Sequence, residues 1–247
     1  MKTATDAGLL FRRYLTQLLR NPAFVVIGFA TPILYLALFT PLLRHIAGPH
    51  VLNLFLPGIL ALLAYASGAG PGFSTVFELR AGVIERFRVT PVSRFAILAG
   101  PILAAMLLMF VFDLVLVLAG WGFGFHVHLP GLLLLGVLLA LLMASMAAFA
   151  TSVALLSGQI NGVAAVINGL NLPVLLLGGV LLPISLGPAW LRVLAHVNPL
   201  YYTVAAARAL AAGPLTGTAV WQAFAVLVPL CAVVLYWATT VVRRAVA

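Results

Sequence analysis

Long uncharged apolar runs alternate with short polar connections along this chain of 247 residues. A membrane core about 30 Å thick requires roughly 20 apolar residues in helical conformation. The sequence predicts six runs of that length, at residues 23–43, 54–76, 95–119, 131–156, 163–182 and 220–240. Because the runs are continuously apolar and do not alternate with a period of two, they favour helices over strands. We therefore expect an all-α integral membrane protein with six transmembrane helices.

Two segments outside these runs predict shorter helices near the membrane surface. Residues 6–22 place leucines on one helical side and end at Asn21-Pro22, which is typical of an amphipathic interfacial helix. Residues 183–218, before the last run, contain four prolines, with amphipathic and aromatic pieces between them. This pattern predicts short interfacial or re-entrant helices. No polar block is large enough to fold alone, so residues 1–247 are expected to form a single transmembrane domain.

Composition excludes an ordinary soluble domain. The chain is 64% hydrophobic and 7% charged, whereas soluble domains are about 45–50% apolar and about 25% charged. The net charge of +9 resides at the ends of the apolar runs, without the basic and aromatic stripe of a nucleic-acid groove. We expect the lipid bilayer as a partner, and no nucleic acid. The single cysteine, Cys231, lies inside an apolar run and predicts no disulfide framework.

The distribution of Lys and Arg predicts the orientation, because positive loops remain in the cytoplasm. One set of alternate loops contains Lys2, Arg12, Arg13, Arg20, Arg80, Arg86, Arg88, Arg94, Arg243 and Arg244. The other set contains Arg44, Arg192 and Arg208. Both termini are therefore predicted to be cytoplasmic.

The chain lacks the sequence patterns of known catalytic sites. There is no nucleophile elbow, HExxH pattern or phosphate loop, and Lys2 is the only lysine. We therefore expect no catalytic residue and no cofactor bound by this chain. His126 and His128 form an HxH pair, but loop histidines are usually polar anchors and no acidic residue nearby would complete a metal site. No metal site is expected.

Polar residues inside the predicted spans are the first candidates for function. Asp113 is an acidic residue well inside a span, where a carboxylate is costly. It could serve a proton-coupled carrier, or it could cap, pair or be protonated within the bundle. Asn161, Asn168 and Asn171 lie at and along the fifth span, which indicates either close helix packing or a substrate path. Either interpretation makes this span an interface.

Residues 77–94, FELRAGVIERFRVTPVSR, are too polar to span the membrane and are predicted to be cytoplasmic. Glu85 and Arg88 are three residues apart on a helix, Val83 and Phe87 give it an apolar edge, and Thr90-Pro91 stops it. The pattern alone leaves a solvated connector and a docking segment equally open.

Several short motifs occur in a characteristic order. They are Arg20-Asn21-Pro22, Thr31-Pro32, Leu56-Pro57-Gly58, the block E-x6-ER-x3-TP-x2-R from Glu78 to Arg94, Gly178-Gly179 with Pro183, and Asn198-Pro199-Leu200 followed by Arg208. With the six-span pattern, their combination resembles the membrane subunits of type 2 ABC transporters. That permease family includes daunorubicin-resistance-type drug exporters and polysaccharide exporters.

The resemblance implies a permease that pairs, as a homodimer or with a related permease, above two ATPase subunits that bind ATP and Mg²⁺. Residues 77–94 would be the coupling loop received by the ATPase, and residues 183–218 the extracellular gate region. The docking residues would be Glu78, Glu85, Arg86, Phe87, Arg88 and Pro91, with Phe87 as the buried anchor. The gate residues would be Gly178, Gly179, Pro183, Asn198 and Pro199. Asn161, Asn168, Asn171 and Asp113 would line the substrate path or the dimer interface.

The resemblance also implies a function: ATP-driven export of hydrophobic drug-like molecules or natural products across the bacterial plasma membrane. Export of lipid-linked polysaccharide is a sibling alternative, and a proton-coupled carrier that uses Asp113 is a third. Polysaccharide exporters are expected to have aromatic-rich channel faces, whereas the phenylalanines here are spread over several spans. The connection 157–162 is uncharged, so no strong ATPase contact is expected there.

Overall fold

A computed structural model describes residues 2–47, 51–88, 92–125, 128–180, 184, 187–213 and 215–245. These residues form eleven α-helices. In chain order they are α1 (Lys2–Leu19), α2 (Pro22–Ala47), α3 (Val51–Ser67), α4 (Gly70–Arg80), α5 (Val83–Arg88), α6 (Arg94–Gly122), α7 (Leu129–Ser157), α8 (Ile160–Leu177), α9 (Ala189–Ala195), α10 (Pro199–Ala212) and α11 (Thr218–Ala245).

Five helical segments of the described chain are long and apolar enough to cross a membrane. They are Leu52–Arg80, which joins α3 and α4, and the helices α6, α7, α8 and α11. The predicted first span lies in α2, where the apolar stretch Val25–Leu38 is shorter than these five segments. The prediction of an all-α membrane protein is therefore confirmed, while the exact count of six spans stays a prediction.

The second predicted span is two helices with a turn between them. The chain turns where the Gly68 amide donates to the Tyr65 carbonyl at 3.2 Å and the Ala69 amide donates to the Ala66 carbonyl at 3.1 Å. After this turn α4 packs along α7. The approach is so close that a Cβ added to Gly72 would lie 2.7 Å from the Ala150 carbonyl oxygen.

Helix α7 occupies the centre of the bundle, where it packs against α3, α4, α10 and α11. Alanines on α7, such as Ala147 and Ala150, are fully buried and allow these helices to approach closely. Helix α8 is much less buried than α7, because only Val163 and Ile167 are buried along its length. The bundle therefore has a well-covered central helix and one helix that is largely uncovered by the rest of the chain.

The amphipathic segment at the start of the chain forms α1, which packs against α6. Leu10 and Tyr14 of α1 are buried, and a Cβ added to Gly100 of α6 would lie 2.6 Å from the Cβ of Leu10. The Asp6 carboxylate accepts a hydrogen bond of 3.1 Å from the amide of Ser93, the residue before α6. Leu9 remains exposed, so α1 buries only part of its leucine-rich side.

Candidate functional site

Glu78, a predicted docking residue, is held inside the chain by α1. Its side chain is only 8% exposed. It accepts a hydrogen bond from the Tyr14 hydroxyl and forms an ion pair with Arg13 at 3.1 Å. Burial, followed by the nearby Glu78 carboxylate, raises the pKa of Tyr14 above its ordinary value. We call Arg13, Tyr14 and Glu78 the α1 tether, because together they fasten α4 to α1.

The short helix α5 presents the centre of the predicted coupling loop. It follows a turn at Gly82, whose φ of +66° suits a residue without a side chain. Ile84 is buried, and Phe87 is half-buried against the core of the same chain. Glu85 and Arg86 are exposed. The predicted apolar edge of this helix therefore faces inward, and the charged side faces outward.

Two further predicted docking residues follow Phe87 in the chain. Arg88 is the last residue of α5, and Pro91 lies outside the described residues. The assignment of this loop as a docking segment stays a prediction, with Glu85 and Arg86 as its outward-facing side chains.

The predicted gate residues come together where α8 ends and α10 begins. Asn198 caps α10 by accepting a 3.0 Å hydrogen bond from the Leu200 amide, and Pro199 is the first residue of the helix. The amide nitrogen of Asn198 also donates to the Val174 carbonyl of α8 at 2.7 Å. One side chain therefore caps a helix and ties it to its neighbour.

Arg208 of α10 reaches across the same region to three backbone carbonyls. Its Nε donates to the carbonyl of Leu54 at 2.9 Å, and its Nη2 donates to those of Gly179 and Val180 at 2.8 and 3.0 Å. Burial lowers the pKa of Arg208 from its ordinary value, but a guanidinium stays protonated at neutral pH. We call Arg208 and Asn198, with the carbonyls they bind, the gate clamp. Sequence reasoning placed Arg208 only within a motif and gave no partner for it.

Glycines allow the backbone segments of the clamp to approach each other. A Cβ added to Gly178 would lie 2.7 Å from the Leu200 side chain, and one added to Gly58 of α3 would lie 2.7 Å from the Val180 carbonyl oxygen. Gly179 has a φ of +65°, which a residue with a side chain rarely adopts. Gly178, Gly179, Asn198 and Pro199 thus form one cluster, whereas Pro183 lies outside the described residues.

The three asparagines of the fifth predicted span are all exposed on α8. Asn161 and Asn168 are seven residues apart and share a helical face, and Asn171 lies next to that face. Large apolar residues of the same helix, such as Leu172 and Leu176, are exposed as well. This arrangement leaves amides uncovered on a helix of membrane-spanning length.

Asp113 belongs to a different part of the bundle. It is 6% exposed, and neither carboxylate oxygen has a hydrogen-bond partner among the described residues. It lines a cavity of about 610 Å³ between α1, α2, α3, α4 and α6. Within the described part of the chain, no three His, Cys, Asp or Glu side chains form a group that could hold a metal, and His126 lies outside it.

Comparison with known proteins identifies the family. The family described as "ABC-2 type transporter" matches residues 5–211 of this chain. A protein of Cyanophora paradoxa named "Putative transport permease ycf38" is 31% identical over 206 residues, which cover 79% of this chain and 70% of that protein. These matches confirm the resemblance carried by the motifs. With its membrane-spanning helices, the chain belongs to the ABC-2 type transporter family of membrane permeases.

Proposed function

We propose that this permease is the membrane subunit of an ATP-driven exporter that moves hydrophobic drug-like or natural-product molecules across the bacterial plasma membrane. In this proposal ATP and Mg²⁺ bind to a separate ATPase subunit, and both termini lie in the cytoplasm. Family membership supports the transport role. The concentration of arginines in the connections around α1, α5 and the end of α11 supports the orientation.

The exposed charged side of α5 is the observation that carries the ATPase partnership. Glu85 and Arg86 face outward from a helix whose other side is anchored by the buried Ile84. Charges on the exposed side of such a helix give specificity to a docking contact. Arg88 and Pro91 extend the proposed docking segment. Glu78 would contribute indirectly, because its side chain is turned toward α1 and holds α4 in place.

If the ATPase moved α5, the movement would be transmitted to the rest of the bundle through α4. The two helices are joined at Gly82, and α4 is closely packed on α7 at Gly72. The α1 tether links α4 to α1, which in turn packs on α6. Helices α1, α4 and α6 therefore form the unit that we expect to respond first to ATP binding.

A second copy of the chain is proposed to cover α8. Amides on a helix of membrane-spanning length are stabilised by hydrogen bonds to a neighbouring helix. Two copies related by a two-fold axis would bring equivalent faces together, so that Asn161, Asn168 and Asn171 find partners in the other copy. The substrate path would then run between the copies.

An apolar path favours a hydrophobic cargo over a lipid-linked glycan. The exposed residues around the asparagines of α8 include Val166, Leu170, Leu172 and Leu176. A glycan path is expected to offer clustered aromatic surfaces. Exposed aromatic residues are instead found on several helices, including Phe77 of α4, Trp121 of α6, Trp190 of α9 and Trp221 of α11.

The first test is reconstitution of the permease with a candidate ABC-type ATPase in lipid vesicles, with ATP hydrolysis and transport measured together. Glu85→Arg and Phe87→Ala should weaken the complex and uncouple hydrolysis from transport. Arg244→Glu changes an exposed charge near the end of α11, outside the loop, and should leave the complex intact. Because Phe87 also packs against the core, folding of that variant must be verified separately.

The same experiment separates the exporter from a proton-coupled carrier. The buried and unpartnered Asp113 is the observation that favours a carrier. Transport without any ATPase that is abolished by Asp113→Asn would establish the carrier and refute the exporter. Transport that requires both ATP and the ATPase would do the reverse.

A further inference from the structure

The cavity that contains Asp113 lies within one chain and is separate from the exposed face of α8. Its volume of about 610 Å³ falls in the range of about 300–1,000 Å³ found for small-molecule sites. The wall contributed by α6 is a stripe of residues spaced three or four apart, a spacing that keeps them on one helical face. The stripe consists of Pro101, Ala105, Leu108, Met109, Phe112 and Asp113. At about 1.5 Å per residue it is about 18 Å long.

Asp113 is an uncompensated acidic residue in the wall of this cavity. Only 6% of the residue is exposed, and both carboxylate oxygens lack a partner among the described residues. The described residues that line the cavity include no Lys, Arg or His. An ionised carboxylate buried without a counter-charge is strongly unfavourable. A ligand that carries one positive charge would therefore be stabilised here by supplying the missing partner.

The remaining walls suit an apolar ligand body. Aromatic residues from α1, α4 and α6 line the cavity, and aromatic ring faces attract organic cations. They are Tyr14, Phe73, Phe77 and Phe112. Two hydroxyl groups in the wall already donate within their own helices, from Thr31 to the Ile27 carbonyl at 2.8 Å and from Ser74 to the Pro71 carbonyl at 2.9 Å. Small hydrated metal ions prefer sites built mainly from oxygen ligands, whereas this wall is largely apolar and aromatic and leaves room for a bulky organic cation.

We propose that this cavity is a binding site for lipophilic monocations, with Asp113 as the counter-ion and the aromatic walls around the ligand body. The ligand class is an amine or phosphonium with one positive charge and an aromatic or aliphatic body. Binding forms an ion pair in an apolar environment, where removal of either charge leaves the other uncompensated. The site is complete within one chain, so binding requires neither a second copy nor an ATPase.

The test measures saturable binding of radiolabelled tetraphenylphosphonium to the purified chain in an uncharged detergent, by equilibrium dialysis. Asp113→Asn preserves the shape of the side chain and should bind at least about tenfold more weakly. Gly70→Phe should also lose binding with Asp113 intact. Gly70 lines the cavity, and a Cβ added there meets no atom within 4 Å, so the ring can enter the open space.

The matched control is Thr151→Val on α7. Thr151 is another buried polar residue without a partner in the described chain, and it lies outside the cavity lining. This variant should bind tetraphenylphosphonium like the wild type. Triphenylphosphine oxide, a neutral molecule of related shape, should compete poorly.

Three results would overturn the proposal. They are the absence of saturable binding to the wild type, affinities of wild type and Asp113→Asn within about threefold of each other, and equal competition by the neutral probe. The ATPase is absent from this experiment. Failure of the exporter proposal would therefore leave the result unchanged, and failure of cation binding would leave the ATPase partnership untouched.

Discussion

The α1 tether and the gate clamp both hold distant parts of the chain together, but they use different acceptors. In the tether, one carboxylate, that of Glu78, receives two side-chain donors from α1. In the clamp, Arg208 and Asn198 donate to backbone carbonyls of α3, α8 and the turn after α8. The acceptor of the tether is thus a titratable side chain, and the acceptors of the clamp are parts of the main chain.

This difference determines how each contact responds to its surroundings. Backbone carbonyls do not titrate, and a buried carbonyl that loses its donor is costly to leave unsatisfied. The tether includes Arg13, whose side chain is 43% exposed, so its ion pair is screened by solvent. We therefore expect the clamp to act as a fixed frame. The tether can exchange its partners at lower cost. Helix α4 would require this freedom if it moved together with α5.

The largest expected effect comes from removing the clamp. Arg208→Met retains an apolar stem but removes the donor from the part-buried carbonyls of Gly179 and Val180, and an unsatisfied buried acceptor costs about 1–3 kcal/mol. The contact with the Leu54 carbonyl is exposed, so its loss should cost little. The free energy of unfolding should fall by about 2 kcal/mol or more. Unfolding in detergent can be followed through the single, buried Cys231, which becomes reactive to a fluorogenic maleimide when the bundle opens.

Two further arginine variants control this prediction. Arg208→Lys offers a compact ammonium in place of the planar fork and should be intermediate. Arg192→Met removes an exposed arginine from α9 and should change stability by less than about 0.5 kcal/mol. Equal unfolding temperatures for Arg208→Met and Arg192→Met would contradict the clamp.

The next effect compares one close glycine contact in each region. A Cβ at Gly58 would meet the Val180 carbonyl oxygen at 2.7 Å, and Arg208 holds that carbonyl in place. A Cβ at Gly100 would meet the Cβ of Leu10 at 2.6 Å, on a helix that we expect to shift more easily than the clamp. Gly58→Ala should cost about 1–3 kcal/mol, and Gly100→Ala should cost clearly less. The same thiol-reactivity assay measures both.

Gly8→Ala is the control for this pair, since its added Cβ meets no atom within 4 Å. Alanine favours the helical conformation, so this variant should be as stable as the wild type or slightly more stable. Equal losses for Gly58→Ala and Gly100→Ala would mean that both regions are equally rigid.

The helices themselves were largely predictable, because apolar length determines a membrane span without reference to other parts of the chain. The predicted run at residues 131–156 corresponds to α7, Leu129–Ser157. The turn that divides α3 from α4 was not predicted. It lies at Ser67-Gly68-Ala69-Gly70-Pro71, where glycines and a proline interrupt an otherwise apolar run, and a Cβ added at Gly68 would lie 2.6 Å from the Met146 side chain of α7.

The contacts of the candidate sites were less predictable, since they join residues far apart in sequence. Tyr14 and Glu78 are separated by 64 residues, and Arg208 and Leu54 by 154. Glu78 was predicted as a docking residue because the block from Glu78 to Arg94 resembles the coupling loop of the permease family. The helix α4 continues to Arg80, however, and turns the Glu78 side chain toward α1. Motif order indicated the gate cluster, but not which carbonyls Arg208 would bind.

A smaller effect is expected when the charge of the tether is removed. Glu78→Gln abolishes the ion pair with Arg13 and retains an oxygen that can accept from Tyr14. The cost should be about 1 kcal/mol or less, because the pair is partly exposed. High salt should reduce the difference in the free energy of unfolding between this variant and the wild type. It should not reduce the loss of stability caused by Arg208→Met. Unfolding is measured at low and high salt.

A double-mutant cycle tests whether that loss belongs to the pair. If Arg13 and Glu78 stabilise the protein mainly through each other, the double variant Arg13→Gln with Glu78→Gln should lose little more than either single variant. Strictly additive losses would assign the effect to other contacts of the two residues.

The smallest effect is a pH dependence confined to the tether. Burial and the neighbouring Glu78 raise the pKa of Tyr14 above its ordinary value of 10.0, so the folded protein keeps this proton at a pH where the unfolded chain has lost it. Stability contributed by the protonated hydroxyl is therefore complete below pH 10 and declines as the pH rises above it. At pH 10.5 the decline should still be below about 1 kcal/mol. Comparing the free energies of unfolding of wild type and Tyr14→Phe from pH 8 to 10.5 isolates this component. If the wild type's extra stability over the variant stayed constant or grew as the pH rose, Tyr14 would not be holding its proton beside Glu78.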